Sequence, residues 1–230
     1  MLNPHSLVNL PNAIRWIETH RTNSQRMASL GDPDRFHPSA RDPIVHAHNA
    51  LTDGLSKIEG LVSDPTRNEV LKHDAARTVA GKTVSIIDKS QAAIDAAGFD
   101  LQSEAADTVH ANFQANPDRA SIQSEVRQWI NATAKSELGY GKIREAMNAS
   151  AEVAAVLQHS PSFLIGIPDD VLKPMIIDGI RLHLPKAYEL SEQGTALRSL
   201  AAKYPQVAKS VRASFYTPAI AAQSALRVEV

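Results

Sequence analysis

Apolar residues recur at spacings of three and four along most of this 230-residue chain, and that period predicts an all-α protein. Ile44, Ala47, Leu51, Leu55, Ile58 and Val62 trace the clearest stripe. Asp42-Pro43 ahead of it reads as an N-cap followed by proline at the first helical position. The same device at Asp64-Pro65 opens a longer pattern. There Leu71, Val79, Ile86, Ala93 and Ala97 approach the seven-residue repeat of a coiled-coil seam, and Gly98 stands where a helix would stop. A short helix is predicted over 102–115. Asn116-Pro117 starts another, with Ile122, Val126, Trp129, Ile130 and Ala134 on its inner face. The next covers about 140–159, with Ile143, Met147, Val153, Val156 and Leu157 inward.

The ends are less regular. A first helix is predicted from Pro11, with Asn12 near the cap, to about residue 30, although Ile14, Ile17, Arg21 and Gln25 share no continuous apolar face. Residues 31–43 hold three prolines and read as a loop. A last long helix runs from Pro185 to Lys203 and resumes after Pro205. Beyond Thr217-Pro218, Leu226, Val228 and Val230 alternate with Arg227 and Glu229, the period of a strand whose partner would come from another subunit. The expected architecture is an elongated bundle of long antiparallel helices with extended N- and C-terminal arms. Its segments are an N-terminal arm, helix and proline-rich loop (1–40), the bundle (41–213) and an extended C-terminal tail (214–230).

Composition narrows the function classes. Hydrophobic residues are 43% of the chain and charged residues 21%, the usage of a globular protein. With 24 basic and 25 acidic side chains the net charge is −1, so a general basic surface for nucleic acid is not expected. A local patch remains at Lys203 and Lys209, upstream of SVRASFY (210–216). The absence of cysteine excludes disulfides, thiolate nucleophiles and cysteine-ligated metal centres. The first residues lack a secretory layout and no window approaches the roughly 20 apolar residues of a membrane span, so a soluble protein made inside the cell is expected. Aromatic residues, at 5%, argue against a β-sandwich or barrel.

Chemical motifs are sparse. AGKTVS (80–85) ends like a phosphate-binding loop, but Ala76 stands where that loop needs glycine and the residues lie within a helical pattern, pointing Lys82 to solvent. His37, His46 and His48 cluster, with Asp42 or Asp53 as further donors. On one helix, however, positions 46 and 48 lie about 200° apart and cannot share a metal ion. His73 and Asp74 beside Arg77, and Asp107 three residues before His110, read as surface helical pairs. No nucleophile or oxyanion hole accompanies them. The expectation is a non-enzyme without catalytic residues, cofactor or metal. A metal-dependent enzyme using His37, His46 and His48 is one alternative. Trp129 reads as core, whereas Trp16 is suited to anchor a partner. The expected partner contacts are Trp16, Phe215, Tyr216, Leu226, Val228 and Val230.

The most apolar stretch, 156–185, begins inside AVLQHSPSFLIGIPDDVL (155–172). Ser160-Pro161 should cap a small turn, with Phe163 and Leu164 inward. Gly166 permits a reversal, and Pro168-Asp169-Asp170 opens a helix with acids at its positive end. Phe163, Ile165 and Ile167 would pack the corner. This arrangement, over about 146–210, resembles a segment of small helical structural proteins of tailed bacteriophages. The first half departs from that family, carrying a loop rich in proline and histidine where those proteins have a heavily charged coiled coil. The resemblance implies a non-enzymatic virion or assembly protein present in several copies. It would sit at the portal and head–tail region or inside the head, contact portal or capsid proteins, and be assembled in the host cytoplasm. The other class considered is a cytoplasmic bacterial helical adaptor or regulator.

Overall fold

A computed structural model describes residues 5–226, with only the backbone of residue 226. Among the described residues every regular element is helical, as the spacing predicts. The chain divides into two compact units, Met1–Phe99 with Thr195–Val230, and Asp100–Gly194. The first unit therefore draws on segments from both halves of the sequence.

The first unit contains α1 (Pro11–His20), α2 (Asn23–Leu30), α3 (Arg41–Ser63) and the first part of α4 (Glu69–Phe113). The end of α10 (Pro185–Ala201), α11 (Tyr204–Phe215) and α12 (Pro218–Ala222) complete it. Its core holds Ile17, Leu30, Ile44, Leu51, Ile58, Ile87, Ile94, Tyr204 and Phe215. The buried Tyr204 hydroxyl donates to the Leu30 carbonyl at 2.8 Å, and burial pushes its pKa well above the usual phenol value. At Gly54 helix α3 approaches its neighbours so closely that a Cβ would lie 2.6 Å from Thr83 Oγ1 and 3.0 Å from the Phe215 ring.

The second unit contains the end of α4, then α5 (Ala120–Ala134), α6 (Gly139–Ala149), α7 (Ala151–His159), α8 (Ser162–Ile165), α9 (Asp169–His183) and the start of α10. Phe113, Ile130, Ile143, Met147, Val156, Leu157, Ile165 and Met175 form its core. The inward positions predicted over 140–159 are all buried.

Several boundaries differ from the sequence reading, each for a local reason. The first predicted helix is two helices, because Thr22 is extended and its hydroxyl accepts from the Gln25 N–H, capping a new helix. Helix α3 begins before Asp42, so Pro43 occupies the third position of the first turn, where an N–H would have no intrahelical partner. Asp64 does not open α4. Its carboxylate caps a tight turn at Thr66, and Asn68 Oδ1 accepts from Leu71 N at the true start. Helix α4 runs through Gly98 to Phe113, joining two predicted helices. Gly98 stays helical although glycine costs about 1 kcal/mol there relative to alanine. Ser150 is extended and divides 139–159 into α6 and α7.

The seven-residue seam of α4 is present but one residue later than predicted. His73, Ala76, Ala80, Thr83, Ile87, Ser90 and Ile94 are buried, while Leu71 and Ile86 are exposed. The buried face carries small and polar side chains where α3 comes close, and so it reads as less apolar than its exposed neighbour. The same inversion occurs on α5. Gln123 and Ile130 are buried, whereas Ile122 and Trp129, both assigned to the core, are exposed. The buried Gln123 carbonyl oxygen accepts from the Asn116 N–H. The C-terminal segment is helical where described, with residues 223–226 forming a 3-10 turn, and the strand alternation read over 226–230 lies, past residue 226, outside the described residues. Val228 and Val230 lie outside the described residues, as does the side chain of Leu226.

Candidate functional site

The corner between α7 and α9 has the backbone that its sequence predicts. Pro161 is extended, α8 makes a single turn, Gly166 takes φ +69°, and Pro168 precedes a helix whose first turn carries Asp169 and Asp170. Only glycine adopts that φ without strain, so the reversal depends on Gly166. The side chains divide differently from expectation. Ile165 and Ile167 are fully buried, but Phe163 is 77% exposed and Leu164 is 43% exposed. The turn begins one residue after Pro161, which directs residues 165 and 167 toward the core and residue 163 away from it.

Two side chains of α5 hold this corner from one side. Arg127 Nε donates to Ser160 Oγ at 3.1 Å, and Asn131 Nδ2 donates to the Leu164 carbonyl at 3.0 Å. They stand four residues apart, on the flank beside the Ile130 face. Sequence reasoning missed both. Their i, i+4 spacing next to an apolar stripe was the available signal, but nothing in it identifies a partner more than thirty residues away. Phe163 is therefore a large apolar group presented on an anchored backbone.

An open groove of about 570 Å³ lies in the same unit. Val109, Phe113, Ile177 and Ile180 form its apolar floor, with Gln102, His110, Gln158, Tyr188 and Glu192 around it. His159 also lines it, but both of its ring nitrogens are engaged. Nδ1 faces the Phe113 carbonyl at 3.2 Å, which can only accept, and Nε2 faces the Arg127 guanidinium at 3.5 Å, which can only donate. That imidazole links α7 to the end of α4 and to α5. Tyr188 receives a hydrogen bond from Arg181, whose guanidinium also lies 4.7 Å from the ring centre. The groove can bind an amphipathic group.

The expected partner contacts fare unevenly. Phe215 is fully buried and meets Trp16 edge-on, with ring centres 6.3 Å apart. It is a core residue, because it fills the space beside Gly54. Trp16 is half-buried and stacks on His20 at 4.2 Å, and Tyr216 is half-buried. The structure thus brings Trp16 and Phe215 together as packing. His20 is buried, with Nδ1 on the Trp16 carbonyl and Nε2 on Ser29, and burial lowers its pKa.

The histidine cluster does not converge. His37 bonds Ser39, His48 bonds the Gly31 carbonyl at 2.8 Å, and His46 points to solvent beside Asp53 and Lys89. Among the described residues no group of three or more histidine or acidic side chains is placed to hold a metal ion. Lys82 is exposed within α4, whose N–H groups are committed to the helix. Also among the described residues, no helix is long and apolar enough to cross a membrane. Comparison of the chain with protein-family models, with curated proteins and with solved structures finds no match.

Proposed function

We propose that this protein is a non-enzymatic structural component that works by assembling with copies of itself and with other proteins. In the terms of the family it resembles, it is a tailed-phage virion protein of the portal and head–tail region or the head interior. The observation that carries this reading is Phe163, 77% exposed on a backbone fixed by Arg127 and Asn131, within the stretch that bears the resemblance. An exposed aromatic on a rigid support loses little conformational entropy on docking, the property of an interface anchor. An elongated bundle, extended terminal arms and a several-copy assembly belong to the same proposal. Native mass measurement of the full chain tests it: a discrete species of several copies is expected, and a monomer at every concentration overturns it. Portal, terminase and capsid genes beside the coding sequence are the expected genomic setting.

A second reading, a cytoplasmic helical adaptor or regulator, is favoured by the 570 Å³ groove, whose apolar floor and polar rim are those of a ligand or peptide site. Unrelated neighbouring genes, together with a monomeric mass, select it. The metal-enzyme alternative draws no support from His37 and His48, each hydrogen-bonded elsewhere.

A further inference from the structure

The charge of the chain is divided unevenly. Residues 100–194 carry 8 Lys and Arg against 13 Asp and Glu, a net of −5, and the remainder carries 16 against 12, a net of +4. The near-neutral total conceals an acidic unit and a basic one.

The acidic unit presents Phe163 and Leu164, followed across the Gly166 reversal by Asp169 and Asp170, both exposed in the first turn of α9. The basic unit holds a groove of about 530 Å³ with an apolar floor of Met27, Phe36 and Leu200. Arg35, whose side chain is 84% exposed, and Lys203 stand at its rim. Asp32 lies in the same groove and pairs with Arg35 at 3.3 Å, so an incoming carboxylate shares that arginine. Lys203 has no ion-pair partner among the described residues. An aromatic anchor beside two carboxylates and an apolar groove beside two cations complement each other in polarity and sign.

We propose that copies of this chain associate head to tail, with the Phe163 corner of one copy seated in the Met27–Phe36–Leu200 groove of the next. The two surfaces differ, so each copy that docks leaves one corner and one groove free. Growth continues until a ring closes or a filament forms. This deepens the assembly reading and rests on it. The occupant is a second copy because the same chain carries both halves of the contact.

Sedimentation of three full-length proteins tests the contact: the wild type, a corner variant (Phe163→Ala with Asp169→Asn and Asp170→Asn), and a groove variant (Arg35→Glu with Lys203→Glu). The wild type is expected to form species larger than a dimer, weakened by added salt. Each variant alone is expected to lose at least ~10-fold in association, the effect of removing an interface anchor. Mixed together they can make only one contact, from the groove variant's intact corner to the corner variant's intact groove. The expected product is therefore a 1:1 heterodimer that grows no further. Its formation also shows that both variants are folded. Variants that assemble as the wild type does, or a mixture that stays monomeric while the wild type assembles, overturn this contact and leave the assembly reading standing. A wild type that never assembles overturns both.

Discussion

His73 Nδ1, on a side chain only 1% exposed, accepts the backbone N–H of Thr217 at 3.0 Å and so ties α4 to the start of α12. Accepting at Nδ1 requires the neutral ring with its proton on Nε2. A second proton would occupy the position that receives the Thr217 N–H. Burial accordingly holds the His73 pKa below its ordinary 6.5, against a smaller opposing pull from Glu69.

Acid should therefore weaken the first unit. Below about pH 6.5 the unfolded chain binds a proton that the folded chain refuses, so this stability is complete above that pH and falls as pH drops. His20, also lowered by burial, acts in the same direction. Thermal unfolding measured between pH 8 and 5 should show a falling midpoint. His73→Asn places an amide oxygen near the Nδ1 position and should reduce the slope, whereas His73→Ala leaves the Thr217 N–H unpaired and should cost about 1–3 kcal/mol at pH 8. An unchanged slope in His73→Asn would show that this pair does not sense pH.

Phe215 should behave as core. Phe215→Ala is expected to cost about 3–5 kcal/mol, read by chemical denaturation. Removing residues 214–230 to test the tail would delete this side chain and unfold the unit. A cut after residue 226 leaves every described element in place and tests the terminal segment alone.

Glycines in α3 and α4 should separate by what surrounds them. Gly54→Ala forces a Cβ against Thr83 and Phe215 and should cost about 1–3 kcal/mol by overpacking. Gly81→Ala meets nothing within 4 Å and should stabilise by up to about 1 kcal/mol. Stabilisation at Gly81 would also confirm an ordinary helix where AGKTVS hints at a phosphate loop.

On α5 the two apolar neighbours should rank opposite to their size. Ile130→Ala, at a fully buried position, should cost about 2–5 kcal/mol. Trp129→Ala, at a side chain 41% exposed, should cost less, although tryptophan is the larger residue. The reverse order in urea titrations would restore Trp129 to the core.

The sequence by itself determined the fold class and the corner at 160–168, because these depend on backbone chemistry within a few residues. Ser160-Pro161, Gly166 and Pro168-Asp169-Asp170 specify their own geometry wherever they stand. Only the tertiary structure decided which face of each helix is inside. A stripe of large apolar residues and a stripe one position away differ by 100° around a helix. The choice between them belongs to what packs opposite: Gly54 admits Thr83 into the α4 seam, and Asn116 satisfies the buried Gln123. Phe163 was displaced from core to surface by the same logic. Arg127 and Asn131, thirty-three residues away, fix the turn that carries it, and no local pattern encodes a partner at that distance.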